Sequence, residues 1–229
     1  MTQGDARRRS KVPVDLLIFD LDGTLIESKW DIATSVNLTL ADLGLPPRAR
    51  EEIFGFVGEG VKRLLRLAVG EEHPSRYEEA LKVFRGHYLA HCLNHTRFYP
   101  GVETVLTHFA HKHKAVATNK SLEYTAKILD GLGARHFAYV IGGDNRYGLK
   151  PEPGMLLKVM EALNVGRDRT VLVGDSTNDI NGGHNAGIRV CAVGYGMGNR
   201  GRMAACEPDW FIEKPEDLME LFILEAGWP

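Results

Sequence analysis

The fold of this chain is decided by the stretch Val14-Asp15-Leu16-Leu17-Ile18-Phe19-Asp20-Leu21-Asp22-Gly23-Thr24-Leu25. Its apolar run is too short for an ordinary helix and is rich in strand-forming residues, so it predicts a strand buried on both faces of a parallel sheet. Asp20 and Asp22 come where that strand should end, and their spacing directs both side chains to one side of an extended chain. Because two buried like charges are costly without a cation, the stretch indicates a cation site. A solvated loop that holds two aspartates is the alternative.

The composition is that of an ordinary globular protein. The 229 residues are 44% apolar and 25% charged, enough for one large domain or for a domain with an insertion. A net charge of −2 gives no indication of nucleic acid or an anionic membrane as a partner, and no apolar run approaches a membrane span. Cys92, Cys191 and Cys206 show no pairing or ligand pattern. Free thiols in a reducing compartment are therefore expected, and we predict a cytoplasmic protein.

Residues 1–12 are expected to form a flexible N-terminal arm. The segment Ala6-Arg7-Arg8-Arg9-Ser10-Lys11 is basic, but the strand that follows contains three aspartates and no small-residue cleavage site. These features argue against a signal peptide and favour a frayed, solvated terminus.

Residues 25–97 are expected to form an all-helical cap domain, inserted directly after the first strand. Ser28 is placed to cap a helix whose apolar residues, such as Val36 and Leu40, recur at helical spacing. Further helices are predicted around Ile53, over residues 61–69 and from Pro74 onward. The pattern contains no strand candidate in this segment.

Beyond residue 98 the pattern alternates between strands and helices. Strands are predicted at 115–118, 139–141, 170–175, 190–193 and 210–212, with helical segments between them. Such alternation predicts an α/β fold, a doubly wound, Rossmann-like parallel sheet covered by helices on both faces. We therefore assign residues 13–24 and 98–229 to one α/β core domain.

Polar residues follow each strand that should reach the centre of this sheet. In an open α/β sheet the ligand site forms beyond the carboxyl ends of the strands, near the topological switch point. The side chains expected there, in chain order, are Asp20, Asp22, Thr118, Asn119, Lys150, Asp175 and Asp179.

This set of side chains suits phosphoryl transfer. Asp20 and Asp175, with a backbone carbonyl from the first loop, water and a phosphate oxygen, would form an all-oxygen shell for Mg²⁺. Lys150 would bring a compact positive charge to the nucleophile and the phosphate, although a solvated loop lysine is the simpler interpretation. Asp179 could hold a metal-bound water, orient Lys150, or only complement a helix dipole.

Thr118 and Asn119 could donate hydrogen bonds to phosphoryl oxygens, where charge must be stabilised in the transition state. A threonine that ends a strand and an asparagine that starts a turn are, however, common without any such role.

Four segments resemble, in order and spacing, the motifs of the haloacid dehalogenase-like phosphatase superfamily. They are Asp20-Leu21-Asp22-Gly23-Thr24, Thr118-Asn119, Lys150-Pro151 and Gly174-Asp175-Ser176-Thr177-Asn178-Asp179. The resemblance implies that Asp20 is a nucleophile that forms an aspartyl-phosphate and that Asp22 is the general acid and base. It also implies Mg²⁺ held by Asp20, Asp22 and Asp175, with Gly23 and Thr24 at the substrate. Dehalogenases of the superfamily lack the second aspartate, so Asp22 favours phosphate esters over halides.

Shorter segments resemble the phosphoglycolate phosphatase branch of that superfamily. They are Thr118-Asn119-Lys120, Ile141-Gly142-Gly143-Asp144, Val57-Gly58-Glu59-Gly60 and Gly194-Tyr195-Gly196. The resemblance implies hydrolysis of 2-phosphoglycolate under a cap that closes over the site. Gly58, Glu59, Gly60 and Lys62 are then expected to contact the substrate, the glycines through backbone N–H groups. A glycine-bearing turn between two cap helices is the alternative.

Other functions remain open at this point. Pyrophosphate, nucleotides and sugar phosphates are alternative substrates, and a sugar phosphomutase on the same scaffold is a second possibility, because specificity resides in the cap. A phosphoacceptor receiver is shorter and has no helical insertion, and an inactive binding protein is expected to have lost at least one of the four central residues. The expected partner is a small phosphate ester, and both a monomer and a homodimer are compatible with the sequence.

The segment Gly196-Met197-Gly198-Asn199-Arg200-Gly201 matches the spacing of a dinucleotide-binding loop. No βαβ unit with a suitably placed acidic residue follows it. We therefore expect no nucleotide cofactor there and predict a mobile loop.

Overall fold

The computed structural model describes residues 11–70 and 73–223, so residues 1–10 of the expected arm lie outside the described residues. The strands are Val12–Pro13 (β1), Leu16–Phe19 (β2), Ile26–Glu27 (β3), Arg97–Phe98 (β4), His113–Ala117 (β5), Tyr139–Ile141 (β6), Thr170–Gly174 (β7), Arg189–Val193 (β8), Trp210–Ile212 (β9) and Phe222–Ile223 (β10). The helices are Lys29–Asp42 (α1), Arg50–Phe54 (α2), Val61–Val69 (α3), Tyr77–His91 (α4), Val102–His108 (α5), Leu122–Gly131 (α6), Gly154–Leu163 (α7), Thr177–Ala186 (α8), Arg200–Ala204 (α9) and Leu218–Leu221 (α10).

A six-stranded sheet in the order β6-β5-β2-β7-β8-β9 forms the core, and all its strands run parallel. The chain proceeds outward from β2 to β5 and β6, returns to β7 on the other side of β2, and continues to β8 and β9. The direction of winding therefore reverses between β2 and β7, and the crevice of a doubly wound sheet lies at their carboxyl ends. The predicted fold class is confirmed.

The central strand β2 is buried on both faces. Leu17 and Phe19 belong to an apolar cluster that includes residues of α5 and α6. Leu16 and Ile18 belong to a second cluster, on the side of α7. Because successive side chains of a strand point to opposite faces, a strand covered by helices on both faces needs the continuous apolar run that the sequence shows.

Helices α1 to α4 form the cap, in which α1 and α3 both pack against α4. Two chain segments join the cap to the core, and they pair as a short antiparallel ribbon in which Ile26 lies opposite Phe98 and Glu27 opposite Arg97. The expectation that residues 25–97 contain no strand is therefore wrong at both ends of the segment. The backbone N–H and C=O groups of the two connecting segments hydrogen-bond to each other in this ribbon. The sequence did not predict these strands because two residues are too few to show a periodic pattern.

Asp31 ties the beginning of the cap to its end. Its buried carboxylate accepts hydrogen bonds from the backbone N–H groups of His95 and Thr96, at 2.9 and 2.8 Å, and from the Thr96 hydroxyl at 2.9 Å. Burial acts to raise the pKa of Asp31, but these hydrogen bonds from His95 and Thr96 outweigh it and lower the pKa. The charged carboxylate thus fixes the ribbon beside the first turn of α1.

Val12, which the sequence pattern assigns to the flexible arm, lies in β1 and pairs in parallel with Phe222 of β10. Lys11 Nζ also donates a hydrogen bond to the carbonyl of Met219, at 2.9 Å. The partner of this short strand lies at the other end of the described chain, which no local pattern can indicate.

Cys92, Cys191 and Cys206 are free, as predicted. Within residues 11–70 and 73–223, every helix is too short or too polar to cross a bilayer.

Candidate active site

The carboxyl ends of the central strands open into a cleft between the core and the cap. The strand-end residues that the sequence predicts all line this cleft: Asp20, Asp22, Thr118, Asn119, Lys150, Asp175 and Asp179. Gly58 and Gly60 of the cap line it as well. The topology therefore brings together residues that are up to 159 positions apart in the chain, counted from Asp20 to Asp179.

Lys150 is the central cation of the site. Its side chain is 2% exposed, and Nζ donates hydrogen bonds to Asp20 Oδ1 at 2.7 Å, to Asp179 Oδ1 at 2.6 Å and to the Ala117 carbonyl at 2.6 Å. Burial acts to lower the pKa of Lys150, but the charges of Asp179 and Asp20 outweigh it and raise the pKa above its usual value. Lys150 is thus a buried, charged bridge between two carboxylates and not a solvated loop residue.

Asp179 orients Lys150 and also caps helix α8. Its second oxygen, Oδ2, accepts hydrogen bonds from the N–H and the hydroxyl of Ser176, at 3.0 and 2.6 Å. The Ser176 hydroxyl in turn accepts from Asp179 N at 3.2 Å, which completes a capping box. The orienting role and the helix-terminus role, which the sequence leaves as alternatives, coexist in one side chain.

Asp175 is held by the loop that the sequence predicts to be mobile. Its Oδ2 accepts hydrogen bonds from the backbone N–H groups of Met197 and Gly198, at 2.8 and 3.2 Å. A Cβ atom on Gly196 would lie 2.3 Å from the Gly23 carbonyl oxygen, and one on Gly198 would lie 1.7 Å from the Asp175 carbonyl oxygen. The glycine spacing of this loop therefore reflects close backbone packing around Asp175.

Three buried carboxylates, those of Asp20, Asp175 and Asp179, offer oxygens within 4.8 Å of one another. Burial raises the pKa of Asp20 to about 6. Burial, together with the charges of Asp179 and Asp20, raises the pKa of Asp175 well above its ordinary value. Lys150 neutralises only part of this negative charge. Since the donors are all oxygen and the charge is under-compensated, the residues fit a hard divalent cation.

The carboxylate of Asp22 is not part of that group of three. Lys120 Nζ donates to its two oxygens at 2.9 and 2.7 Å, and the Ser28 hydroxyl donates to Oδ1. Ser28 is the residue before α1, as the sequence predicts, but its side chain makes no capping hydrogen bond to that helix. The Asp22 side chain is therefore directed to the junction of cap and core, and its expected role as a side-chain metal ligand is not what this geometry shows.

Asn119 connects the cap to Lys150. Its Nδ2 donates to the carbonyls of Gly58 and Lys150, both at 3.0 Å, and its Oδ1 accepts from Lys150 N at 2.9 Å. The side-chain amide, predicted to donate to a phosphoryl oxygen, is thus used to position Lys150 and the cap loop. Thr118 Oγ1 accepts a hydrogen bond from Lys120 N at 3.2 Å.

The remaining residues predicted to contact substrate fall into two groups. Gly23 and Thr24 contact Asp175. Gly23 has a φ of +88°, and a Cβ atom added to it would lie 2.1 Å from Asp175 Oδ2. The Thr24 hydroxyl donates a hydrogen bond to Asp175 Oδ1 at 3.3 Å. Glu59 and Lys62 are exposed on the cap and are not among the residues that line the cleft.

Comparison with known proteins identifies the family. A family model described as haloacid dehalogenase-like hydrolase matches residues 17–193, most of the chain. The chain belongs to this family. The chain is 34% identical over 209 residues to the phosphoglycolate phosphatase of Aquifex aeolicus, covering 90% of this chain and 95% of that protein. It is 37% identical over 215 residues to phosphoglycolate phosphatase 1 of Pseudomonas aeruginosa, covering 89% of this chain and 78% of that one.

A solved structure supports the same assignment. The crystal structure of a protein described as a predicted phosphoglycolate phosphatase from Haemophilus somnus superposes with a TM-score of 0.86 and 28% identity, covering 90% of this chain and 97% of the other. The resemblance stated from the motifs is thereby confirmed.

In this haloacid dehalogenase-like hydrolase, several residues that contact the site were given no role there by the sequence analysis. They are Ser28, Tyr88, Lys120, Ser176 and Met197. Lys120 and Ser176 lie within the quoted motifs Thr118-Asn119-Lys120 and Gly174-Asp175-Ser176-Thr177-Asn178-Asp179, so their place in those motifs could have indicated a role at the site. Tyr88 and Ser28 belong to the cap segment, and only its folding over the core brings them to the site.

Proposed function

We propose that the chain is a Mg²⁺-dependent phosphatase that hydrolyses 2-phosphoglycolate to glycolate and phosphate through an aspartyl-phosphate on Asp20. The observation that carries the proposal is the buried Asp20–Lys150–Asp179 bridge beside Asp175, at the switch point of the sheet. The names of the relatives from Aquifex aeolicus and Pseudomonas aeruginosa support the substrate. The three free thiols support a reducing, cytoplasmic location.

Asp20 is the nucleophile in this proposal. Lys150 holds Oδ1 of Asp20 at 2.7 Å and favours the ionised carboxylate, which is the form that attacks. A carboxylate oxygen of Asp20 forms a bond to phosphorus while the bond from phosphorus to the ester oxygen breaks. Lys150 supplies positive charge where the phosphoryl oxygens gather negative charge.

Asp22 is the general acid and base. Its carboxylate lies two residues beyond the nucleophile, at the junction with the cap, where the leaving group has to be accommodated. In its protonated form it gives a proton to the departing alkoxide, and the carboxylate left behind later takes one from the water that attacks the aspartyl-phosphate, which restores the protonated acid. That second attack releases phosphate and restores the Asp20 carboxylate.

Asp20 and Asp175 would hold Mg²⁺ through their carboxylates, and Asp22 would contribute only a backbone carbonyl because its side chain is engaged by Lys120 and Ser28. When bound, the cation neutralises negative charge on the transferring phosphoryl group. Thr24, Met197 and Gly198 fix the Asp175 carboxylate for that purpose.

The cap encloses the leaving-group side of the cleft. Ile32, Val61, Leu64 and Phe84 give this side an apolar lining, and Asn119 joins the cap loop to the core through the Gly58 carbonyl. A cap closed in this way excludes water that would otherwise compete with the substrate and weaken the electrostatic interactions.

Phosphate release from a substrate panel tests the proposal. The panel contains 2-phosphoglycolate, sugar phosphates, nucleotides and pyrophosphate, each with Mg²⁺ and with excess chelator. We expect Mg²⁺-dependent release with the highest kcat/KM for 2-phosphoglycolate, and no release by the Asp20→Asn variant. A higher kcat/KM for another ester would remove the substrate assignment and keep the chemistry. Full activity of Asp20→Asn would refute the mechanism.

A further inference from the structure

Lys120 is a buried cation whose partner is the residue that has to move during catalysis. Its side chain is 7% exposed, and Nζ lies within hydrogen-bond distance of both Asp22 oxygens, at 2.9 and 2.7 Å. It also lies 4.8 Å from the centre of the Tyr88 ring. Among the described residues, Asp22 is thus the anionic partner of the Lys120 ammonium, and the neutral Tyr88 ring lies beside it.

This arrangement conflicts with the proposed role of Asp22. A general acid and base has to present an oxygen to the ester oxygen of the substrate, but Lys120 and Ser28 together engage both oxygens of Asp22. When Asp22 turns to the leaving group, Lys120 loses at least part of its anionic partner. A buried ammonium without a counter-charge is costly, so a second anion is expected to take that place.

Tyr88 provides an independent observation at the same position. It projects from cap helix α4, lines the cleft and packs edge-on against Tyr124. Its hydroxyl is buried and has no hydrogen-bond partner among the described residues. Buried hydroxyls are normally paired, and an anionic oxygen beside Lys120 could accept a hydrogen bond from this one.

The distances limit where on the substrate that anion can lie. If one Asp22 oxygen keeps its contact with Lys120 while the other contacts the ester oxygen at hydrogen-bond distance, then Lys120 Nζ lies within about 6 Å of that ester oxygen. A carboxylate on the carbon that bears the phosphate falls within this radius. A neutral alkyl group at the same place would leave Lys120 unpaired.

We propose that Lys120, assisted by the Tyr88 hydroxyl, binds a carboxylate carried on the phosphate-bearing carbon of the substrate, and that Asp22 fills this subsite until the substrate arrives. The proposal rests on the phosphatase function proposed above and deepens it. In this proposal Lys120 determines specificity. The substrate carboxylate replaces Asp22 as the ion-pair partner of the Lys120 ammonium, so that Asp22 can contact the ester oxygen.

The first test compares two esters that differ only in the charged group: 2-phosphoglycolate, and ethyl phosphate, in which a methyl group replaces the carboxylate. For Lys120→Met we expect the preference for 2-phosphoglycolate, measured as the ratio of its kcat/KM to that of ethyl phosphate, to fall on the order of 10- to 100-fold. Tyr88→Phe should lower this ratio about 2- to 10-fold. Lys120→Arg, which keeps the charge, should retain more of the preference than Lys120→Met. An equal loss on both esters in Lys120→Met would overturn the subsite, because Lys120 would then act only by positioning Asp22.

A matched control is Lys127→Met, which removes an exposed lysine of α6 that does not line the cleft. It should leave both kcat/KM values unchanged.

A binding experiment separates this inference from the proposed function. In an Asp20→Asn background, which prevents turnover, calorimetry with 2-phosphoglycolate and with ethyl phosphate measures affinity alone. Adding Lys120→Met should weaken binding of 2-phosphoglycolate on the order of 10-fold or more and leave that of ethyl phosphate nearly unchanged. Equal affinities of the two esters for the Asp20→Asn protein would overturn the subsite even if the native enzyme is an active phosphatase. Failure of the native enzyme to hydrolyse any ester would instead overturn the proposed function, and the binding result would still decide the subsite.

Discussion

Replacing Lys150 by methionine removes the cation that bridges two buried carboxylates. In the native protein Lys150 Nζ lies 2.7 Å from Asp20 Oδ1 and 2.6 Å from Asp179 Oδ1, and its side chain is 2% exposed. Methionine has a similar length and no charge, so the main loss is electrostatic. The variant keeps the carboxylates in the same buried site without the ammonium that compensates them.

The expected cost is large because the charges left behind are buried. Removing one partner of a buried ion pair typically costs about 3–5 kcal/mol. In a protein of this size 1 kcal/mol corresponds to a change in Tm of roughly 2–4 °C, so we expect Tm to fall by about 6–20 °C. An ordinary domain has a total free energy of unfolding of about 5–15 kcal/mol. Because the expected loss of about 3–5 kcal/mol is smaller than most of these values, the variant should still fold at room temperature.

Urea denaturation and thermal unfolding of Lys150→Met, both in excess chelator, measure this cost. The control is Lys158→Met, which removes a half-buried surface lysine that pairs with the exposed Glu161 at 2.8 Å, and it should leave Tm unchanged within error. A free energy of unfolding for Lys150→Met within about 1 kcal/mol of the native value would refute the reasoning.

The same variant has a defined pH dependence. The pKa of Asp20 is already raised to about 6 by burial, and Lys150 acts to lower it. Without Lys150 the pKa of Asp20 rises further, so the folded variant binds more protons than its unfolded chain between about pH 4 and pH 7. Its stability should therefore increase as the pH falls from 7 to 5, and the difference from the native protein should narrow. A difference that stays constant over this range would contradict the electrostatic explanation.

Three further predictions concern the nucleophile, the acid and base, and the loop around Asp175. Asp20→Asn should abolish phosphate release while the circular dichroism spectrum stays native, and substantial residual turnover would mean that another residue attacks phosphorus. Asp22→Asn should lower kcat about 10²- to 10⁴-fold and let the aspartyl-phosphate accumulate, detectable by mass spectrometry after acid quench; a native steady-state rate would exclude the acid and base role. Gly196→Ala places a Cβ 2.4 Å from Asp175 Cβ, so it should destabilise the fold by about 1–3 kcal/mol and weaken the rise in Tm that added Mg²⁺ produces. Its control, Gly86→Ala in α4, meets nothing within 4 Å and should stabilise the protein by about 0.5–1 kcal/mol; equal effects of the two alanines would show that the loop does not hold Asp175.

The strands and their polar ends could be predicted because their signals are local. A strand covered on both faces needs a continuous apolar run, and β2 and β7 each have one that ends directly before an aspartate. Parallel strands that alternate with helices place those ends at one edge of the sheet. Asp20, Lys150 and Asp175 therefore had to converge, whatever the rest of the chain does.

The two-residue strands could not be predicted, because each depends on a partner far away in the chain. Ile26–Glu27 pairs with Arg97–Phe98, and Val12–Pro13 pairs with Phe222–Ile223. A segment this short has no period of its own, and its strand conformation follows from the hydrogen bonds that the fold offers it.

The sequence by itself determined the chemistry of this protein, since the residue types and their order after the strands specify carboxylates and a lysine at one site. Only the tertiary structure decided how these groups are partnered. It places Lys120 and Ser28 on Asp22, Asn119 between cap and core, and the Gly196 loop on Asp175. The physical reason is that hydrogen bonds and ion pairs form between side chains according to distance in space, which the packing of the cap on the core sets and the linear pattern does not encode.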